Sequence, residues 1–261
     1  MKAIVPVGGL GSRFDNNTFD RPKCLLPVLE NKLVIDYVLE NLKSIHVDEV
    51  IMILGYRGEQ IRDYVLKNYD FNFTFVQQTK RFGELGYAML LGFSEIREYK
   101  KGNTECIVVL GDTILDDSLE FIVNLGQYKS SNVLAFTPVD NPERFHVCVI
   151  AESRSDTGHI ITELHEKPSE FKSENALIGI YYFLDINSIT RALKIHYRIV
   201  DDCRSYIPLS FCTAMTRLLD HGEKFIGWQA FNWHDCGLPT TLEKTSRYFL
   251  DKQNKKECSN E

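Results

Sequence analysis

The chain has 261 residues, 44% of them apolar and 25% charged, which is the make-up of an ordinary globular protein long enough to bury a sizeable core. Its net charge of −6 argues against non-specific affinity for nucleic acid or an anionic membrane, so any anionic substrate must be held by a local pocket. The seven cysteines are odd in number, scattered and without a C-x-x-C pair, so neither a disulfide framework nor a zinc site is suggested and reduced, mostly buried thiols are expected.

From Lys2 to Val7 the chain reads as a short buried strand ended by Gly8-Gly9-Leu10-Gly11, where glycines allow tight turning and close backbone approach to a ligand. The apolar run before the glycines is too short for a signal peptide or a membrane span, and a cytoplasmic protein is expected. Ile35, Val38, Leu39, Leu42 and Ile45 recur at helical spacing, followed by a strand at 50–54 and a helix containing Ile61, Tyr64 and Val65. A strand near 73–76, a helix over 85–93 and a strand at 106–110 continue the alternation, which implies right-handed βαβ units and a parallel sheet covered on both faces. Beyond about residue 132 the strands come closer together, at 133–137, 147–150, 160–164 and 178–183, predicting a mixed half with antiparallel pieces. Helices are expected over 187–196, 210–221 and 240–250, with a frayed polar tail from 251 to 261. With no linker or repeat, a single domain over 1–250 is expected, its nucleotide half at about 1–131 and its substrate half at about 132–250.

The glycine turn is followed by Arg13 and, ten residues later, by Lys23, so two cations stand beside backbone N–H groups suited to phosphate oxygens. Asp112 follows the buried run Ile107-Val108-Val109-Leu110, at the carboxyl end of a parallel strand where open α/β sheets bind ligands, and is a natural magnesium ligand. A second carboxylate, Asp235, precedes a turn in Trp233-His234-Asp235-Cys236-Gly237. A dinucleotide-dependent oxidoreductase fits poorly, because its third glycine would fall on Phe14.

The segment from Gly8 to Val28, with Arg13, Thr18, Arg21, Pro22 and Lys23, resembles the signature of the sugar-phosphate nucleotidyltransferases, and the likeness extends through most of the chain. It implies an α/β, Rossmann-like mixed, mainly parallel sheet flanked by helices. It also implies transfer of a nucleotidyl group from a nucleoside triphosphate, UTP or dTTP by preference, to a sugar 1-phosphate. By the same resemblance the backbone of Gly8, Gly9 and Gly11 cradles the nucleotide, Arg13 meets the departing phosphates and Lys23 the α-phosphate region. Gln78 reads the base edge with the backbone of Gly83 beside it, although the pattern leaves open whether Gln77 or Gln78 faces the pocket. Asp112 and Asp235 share one Mg²⁺, Glu166 meets sugar hydroxyls, Lys167 the sugar phosphate, and Gly179 leaves room for the hexose. His146 stands where the family commonly has a glycine lining the sugar site, and Arg204-Ser205-Tyr206-Ile207-Pro208 stands where many relatives have an acidic Gly-Glu stretch. The nucleophile is then the substrate's own ionised phosphate oxygen, and no catalytic triad is needed. A binding-only regulator of the same fold is the competing reading. An oligomer follows from family likeness alone, and a fused hexapeptide-repeat acetyltransferase is not expected.

Overall fold

The computed structural model describes residues 1–14, 20–80, 84–98, 105–151, 158–202 and 207–258. Thirteen strands and seven helices are assigned among them. In chain order the first half holds β1 (Lys2–Pro6), β2 (Pro27–Leu29), β3 (Lys32–Leu33), α1 (Val34–Ser44), β4 (Glu49–Leu54), α2 (Gly58–Asn68), β5 (Phe73–Gln77), α3 (Leu85–Glu98), β6 (Cys106–Val109), β7 (Thr113–Leu115) and α4 (Glu120–Lys129). The second half holds β8 (Asn132–Pro138), β9 (His146–Ile150), β10 (His159–Glu166), β11 (Asn175–Phe183), α5 (Asn187–Asp202), α6 (Phe211–Asp220), β12 (Phe225–Gln229), β13 (Trp233–Asp235) and α7 (Pro239–Cys258).

Nine strands form one sheet in the order β5-β4-β1-β6-β11-β8-β12-β10-β9. β5, β4, β1 and β6 are mutually parallel, and β11 and β10 run against the other seven. The sheet is therefore mixed, as the resemblance implied, with its parallel pairings concentrated in the first half of the chain and antiparallel pairings in the second. Alternation along β1 shows how it is covered: Ile4 joins one core with Met89 and Phe93 of α3 and Phe211 of α6. Its neighbours Ala3 and Val5 join the opposite core with Ile35 and Leu39 of α1 and Ile61 of α2. Side chains of a strand point alternately to the two faces, so a fully apolar strand demands helices on both.

Local chemistry fixes where the helices start. The Asp36 carboxylate accepts the Leu33 N–H at 2.7 Å at the first turn of α1, and also takes the hydroxyls of Tyr64 (2.9 Å) and Tyr69 (2.6 Å), tying α1 to α2. Ser210 caps α6 by accepting the Thr213 N–H at 3.0 Å. The expected frayed tail is instead the last two turns of α7, which is helical to Cys258; its Lys252 ammonium pairs with the Asp116 carboxylate, giving that polar stretch a fixed partner.

Candidate active site

The carboxyl ends of β1 and β6 meet at a cavity of about 230 Å³ lined by Val7, Gly8, Gly9, Lys23, Gln78, Glu84 and Asp112 among others. A second cavity of about 600 Å³ is lined by Arg144, His146, Glu166, Lys167, Leu177, Tyr181 and Ser210 among others. Glu84, Leu85, Leu110 and Asp112 line both, so the two form adjoining parts of one cleft with Asp112 at the junction.

In the first cavity Gly8 packs against Gly55 and the Gln78 carboxamide; a Cβ added at Gly8 would lie 2.9 Å from Gln78 Oε1 and 3.2 Å from the Gly55 nitrogen. Only glycine permits that approach. Gln78 is 1% exposed and donates from Nε2 to the Glu84 carbonyl at 3.4 Å, whereas Gln77 is exposed and reaches the Gly55 carbonyl. Of the two glutamines left open by the sequence, Gln78 is the one that lines the cavity. Gly11 has φ of +66° and leads into a short 3-10 turn at 12–14, on which Phe14 is buried and Arg13 exposed. Gly83 and Thr18 lie outside the described residues.

A two-stranded ribbon brings the distant residues Asp112 and Asp235 next to each other along the backbone. β7 and β13 pair antiparallel with Asp235 opposite Thr113, and the Cys236 N–H donates to the Asp112 carbonyl at 3.0 Å. The far end of this ribbon is pinned by Asp117, whose carboxylate accepts the backbone N–H groups of Phe231 and Asn232, each at 3.0 Å, and the Asn232 amide at 2.6 Å. Burial would raise the Asp117 carboxyl, but these donors outweigh it and hold it below its ordinary value.

Each carboxylate of the pair faces a cation. Asp112 pairs with Lys23, and Asp235 Oδ2 accepts from the Arg144 guanidinium at 3.1 Å while its Oδ1 accepts the Gly237 N–H at 2.8 Å. Arg144 carries no motif that marks it in the sequence. The two residues are 91 positions apart, and only the adjacency of β9's leading turn to β13 joins them. Two thiols flank these carboxylates, Cys24 after Lys23 and Cys236 after Asp235. Burial pushes both up to about 12, so they remain protonated at neutral pH and are not nucleophiles.

The second cavity takes its polar wall from β9 and β10, where His146 stands directly opposite Glu166. His146 Nε2 lies 3.6 Å from Glu166 Oε1, and Thr213 Oγ1 lies 3.5 Å from Oε2. The Glu166 carboxyl is held down to about 2, first by the His146 ring, with Ser210 and Lys167 acting in the same direction against the effect of burial. Lys167 has φ of +40° immediately before Pro168, a left-handed conformation that costs about 1–3 kcal/mol in a residue with a side chain.

Gly179 packs against Leu110. It is not among the residues lining the second cavity; it has φ of +81° in a bulge of β11 between Leu177 and Tyr181, and its carbonyl accepts the Leu110 N–H at 2.9 Å. A Cβ there would lie 2.6 Å from Leu110 Cδ1 and 2.7 Å from Cγ. Gly179 leaves room for Leu110, which lines both cavities, and what it would offer a hexose is indirect. Asp235 is likewise not in either lining and reaches the second cavity through Arg144.

Magnesium, which the resemblance implies, can be tested against these donors. Asp112 and Asp235 supply only oxygen, the ligand type magnesium prefers, and both are partly exposed toward cations. No group of three or more His, Cys, Asp or Glu placed to hold a metal occurs among the described residues, so substrate oxygens and water would complete the shell. The donor set fits.

A mixed sheet covered on both faces, with a two-part cleft at the carboxyl end of its central strands, defines an α/β protein with its candidate site where open sheets bind ligands. The chain belongs to the nucleotidyl transferase family, whose model matches residues 2–252. The bifunctional protein GlmU of Methanocaldococcus jannaschii is 30% identical over 255 residues, covering 97% of this chain and 55% of that protein. A putative mannose-1-phosphate guanyltransferase of Sulfolobus acidocaldarius is 29% identical over 217 residues, covering 80% of this chain and 57% of its own. The chain thus spans about half the length of curated relatives it matches. A UDP-glucose pyrophosphorylase solved with UDP-glucose superposes with a TM-score of 0.82 over 96% of this chain and 98% of that one. At 22% identity that likeness bears on the fold alone.

Proposed function

We propose that the chain transfers a nucleotidyl group from a nucleoside triphosphate to a sugar 1-phosphate, releasing pyrophosphate and forming a nucleotide-activated sugar. The observation that carries this is the junction: Asp112, with Lys23 beside it, is shared by two adjoining cavities, so ligands in the two would meet over one carboxylate and one ammonium. Family membership supports the reaction class.

In this reading the triphosphate enters the first cavity. The Gly8–Gly9 backbone approaches its phosphates, and the buried Gln78 carboxamide offers a donor and an acceptor to a base edge. Arg13, exposed beside the glycine turn, reaches the departing phosphates. The acceptor lies in the second cavity, its hydroxyls toward Glu166 and its phosphate toward Lys167. An oxygen of that phosphate forms a bond to the α-phosphorus as the bond from the α-phosphorus to the β-phosphate oxygen breaks, and pyrophosphate leaves. Because the nucleophile is already ionised, the residues' work is positioning two polyanions and neutralising their charge with Lys23, Lys167 and Arg144. Asp112 and Asp235 would hold Mg²⁺, which when bound supplies further neutralisation of the phosphate oxygens.

UTP or dTTP is the preferred donor in this reading, and the guanyltransferase among the relatives makes GTP a necessary member of any panel. Incubation with magnesium, the common nucleoside triphosphates and a set of sugar 1-phosphates, with mass spectrometry of the products, tests it. Pyrophosphate release that requires one sugar phosphate and yields its nucleotide sugar is the expected result. No turnover across the panel by protein that binds nucleotide would favour a binding-only role.

A further inference from the structure

His146 opens β9 and Glu166 closes β10, and the register sets them directly opposite each other. Opposed residues of an antiparallel pair share a face, with Cβ atoms about 5 Å apart, so any side chain at 146 must stand beside Glu166. The imidazole does so, with Nε2 3.6 Å from Oε1, while the Thr213 hydroxyl occupies the Oε2 side. The ring is 16% exposed and the carboxylate 42%, so the histidine forms wall and the carboxylate faces the cavity. A carboxylate open on both sides can accept two neighbouring hydroxyls of a sugar. Here the Oε1 flank is occupied by the imidazole.

We propose that His146 is a specificity-determining residue of the acceptor site. By filling the Oε1 flank of Glu166 it removes the space that one sugar hydroxyl would use. The site therefore selects deoxy sugar 1-phosphates, lacking the hydroxyl at the ring position that faces the imidazole, over the fully hydroxylated hexose. This rests on the reading of the second cavity as the acceptor site.

The test is calorimetric titration of the whole protein, with and without α,β-methylene UTP and magnesium, using glucose 1-phosphate and its 2-, 3-, 4- and 6-deoxy analogues. Wild type is expected to bind at least one deoxy analogue about tenfold more tightly than glucose 1-phosphate, the worth of one hydroxyl left without its partner. His146→Gly, and His146→Ala should the glycine weaken β9, are expected to abolish or reverse that preference while leaving affinity for the nucleotide analogue as it was. An identical ranking in wild type and both variants overturns the proposal, as does failure of every sugar 1-phosphate to bind. A ranking that reverses in protein without turnover would sustain this proposal and remove the transferase reading. Turnover with an unmoved ranking would do the opposite.

Discussion

Gly179→Ala separates two reasons for a glycine at that position. If its purpose were to leave a hexose room, alanine would weaken acceptor binding and leave the fold intact. The structure assigns a different burden. A φ of +81° costs a residue with a Cβ about 1–2 kcal/mol. The new methyl would also lie 2.7 Å from Leu110 Cγ and 3.1 Å from its Cβ, so rotating the tip of the leucine does not relieve the contact. Overpacking of this kind costs about 1–3 kcal/mol, giving a total of about 2–5 kcal/mol. For a domain of this size each kcal/mol moves the melting temperature by roughly 2–4 °C, so a fall of about 10 °C is expected in a thermal melt. Because Leu110 lines both cavities, KM for both nucleotide and acceptor should rise. A variant that melts within about 2 °C of wild type and shows a raised KM for the acceptor alone would refute this reasoning.

Two further outcomes follow from named contacts. Asp117→Ala removes three hydrogen bonds that pin the end of the β7–β13 ribbon; at about 0.5–1 kcal/mol each in this half-exposed setting, urea melts should show a loss of about 2 kcal/mol. Displacement of Asp235 should lower kcat about tenfold, and unchanged kcat would disconnect the ribbon from the site. Glu166 is the third case. Its carboxyl is depressed to about 2, so the stability it contributes is present above the ordinary carboxylate range and is lost only as pH falls toward 2. His146→Ala should raise the Glu166 pKa and move that loss to higher pH, read by carbon-detected NMR titration of the carboxyl; an unshifted titration would show that His146 is not its principal partner.

Much of this architecture is legible from apolar spacing. The strands around Gly8 and Asp112 carry unbroken buried runs, and a glycine turn or a carboxylate at the end of such a run points to the cleft by itself. Short or distant features are not legible in that way. β13 has three residues, Trp-His-Asp, too few for any period, yet it carries Asp235 to Asp112. Helix α4 carries exposed Phe121 and Tyr128 beside buried Ile122 and Val123, which blurs its apolar face, and it went unpredicted. Arg144 looks like a turn cation in sequence and gains meaning only from Asp235 across the fold. The tail from 251 to 258 is polar because its anchor is an ion pair with Asp116, a signal that hydrophobic periodicity does not register.

In the proposed reaction a sugar phosphate oxygen attacks the α-phosphorus over Asp112. It is tested most directly with a sugar 1-phosphate labelled with oxygen-18 in its non-bridging phosphate oxygens, incubated with magnesium and the nucleoside triphosphate that supports turnover. Mass spectrometry is expected to find all of the label in the nucleotide sugar and none in pyrophosphate, and folded Asp112→Asn protein to lose most of this product. Label missing from the nucleotide sugar, or undiminished product from Asp112→Asn, would contradict the proposed reaction.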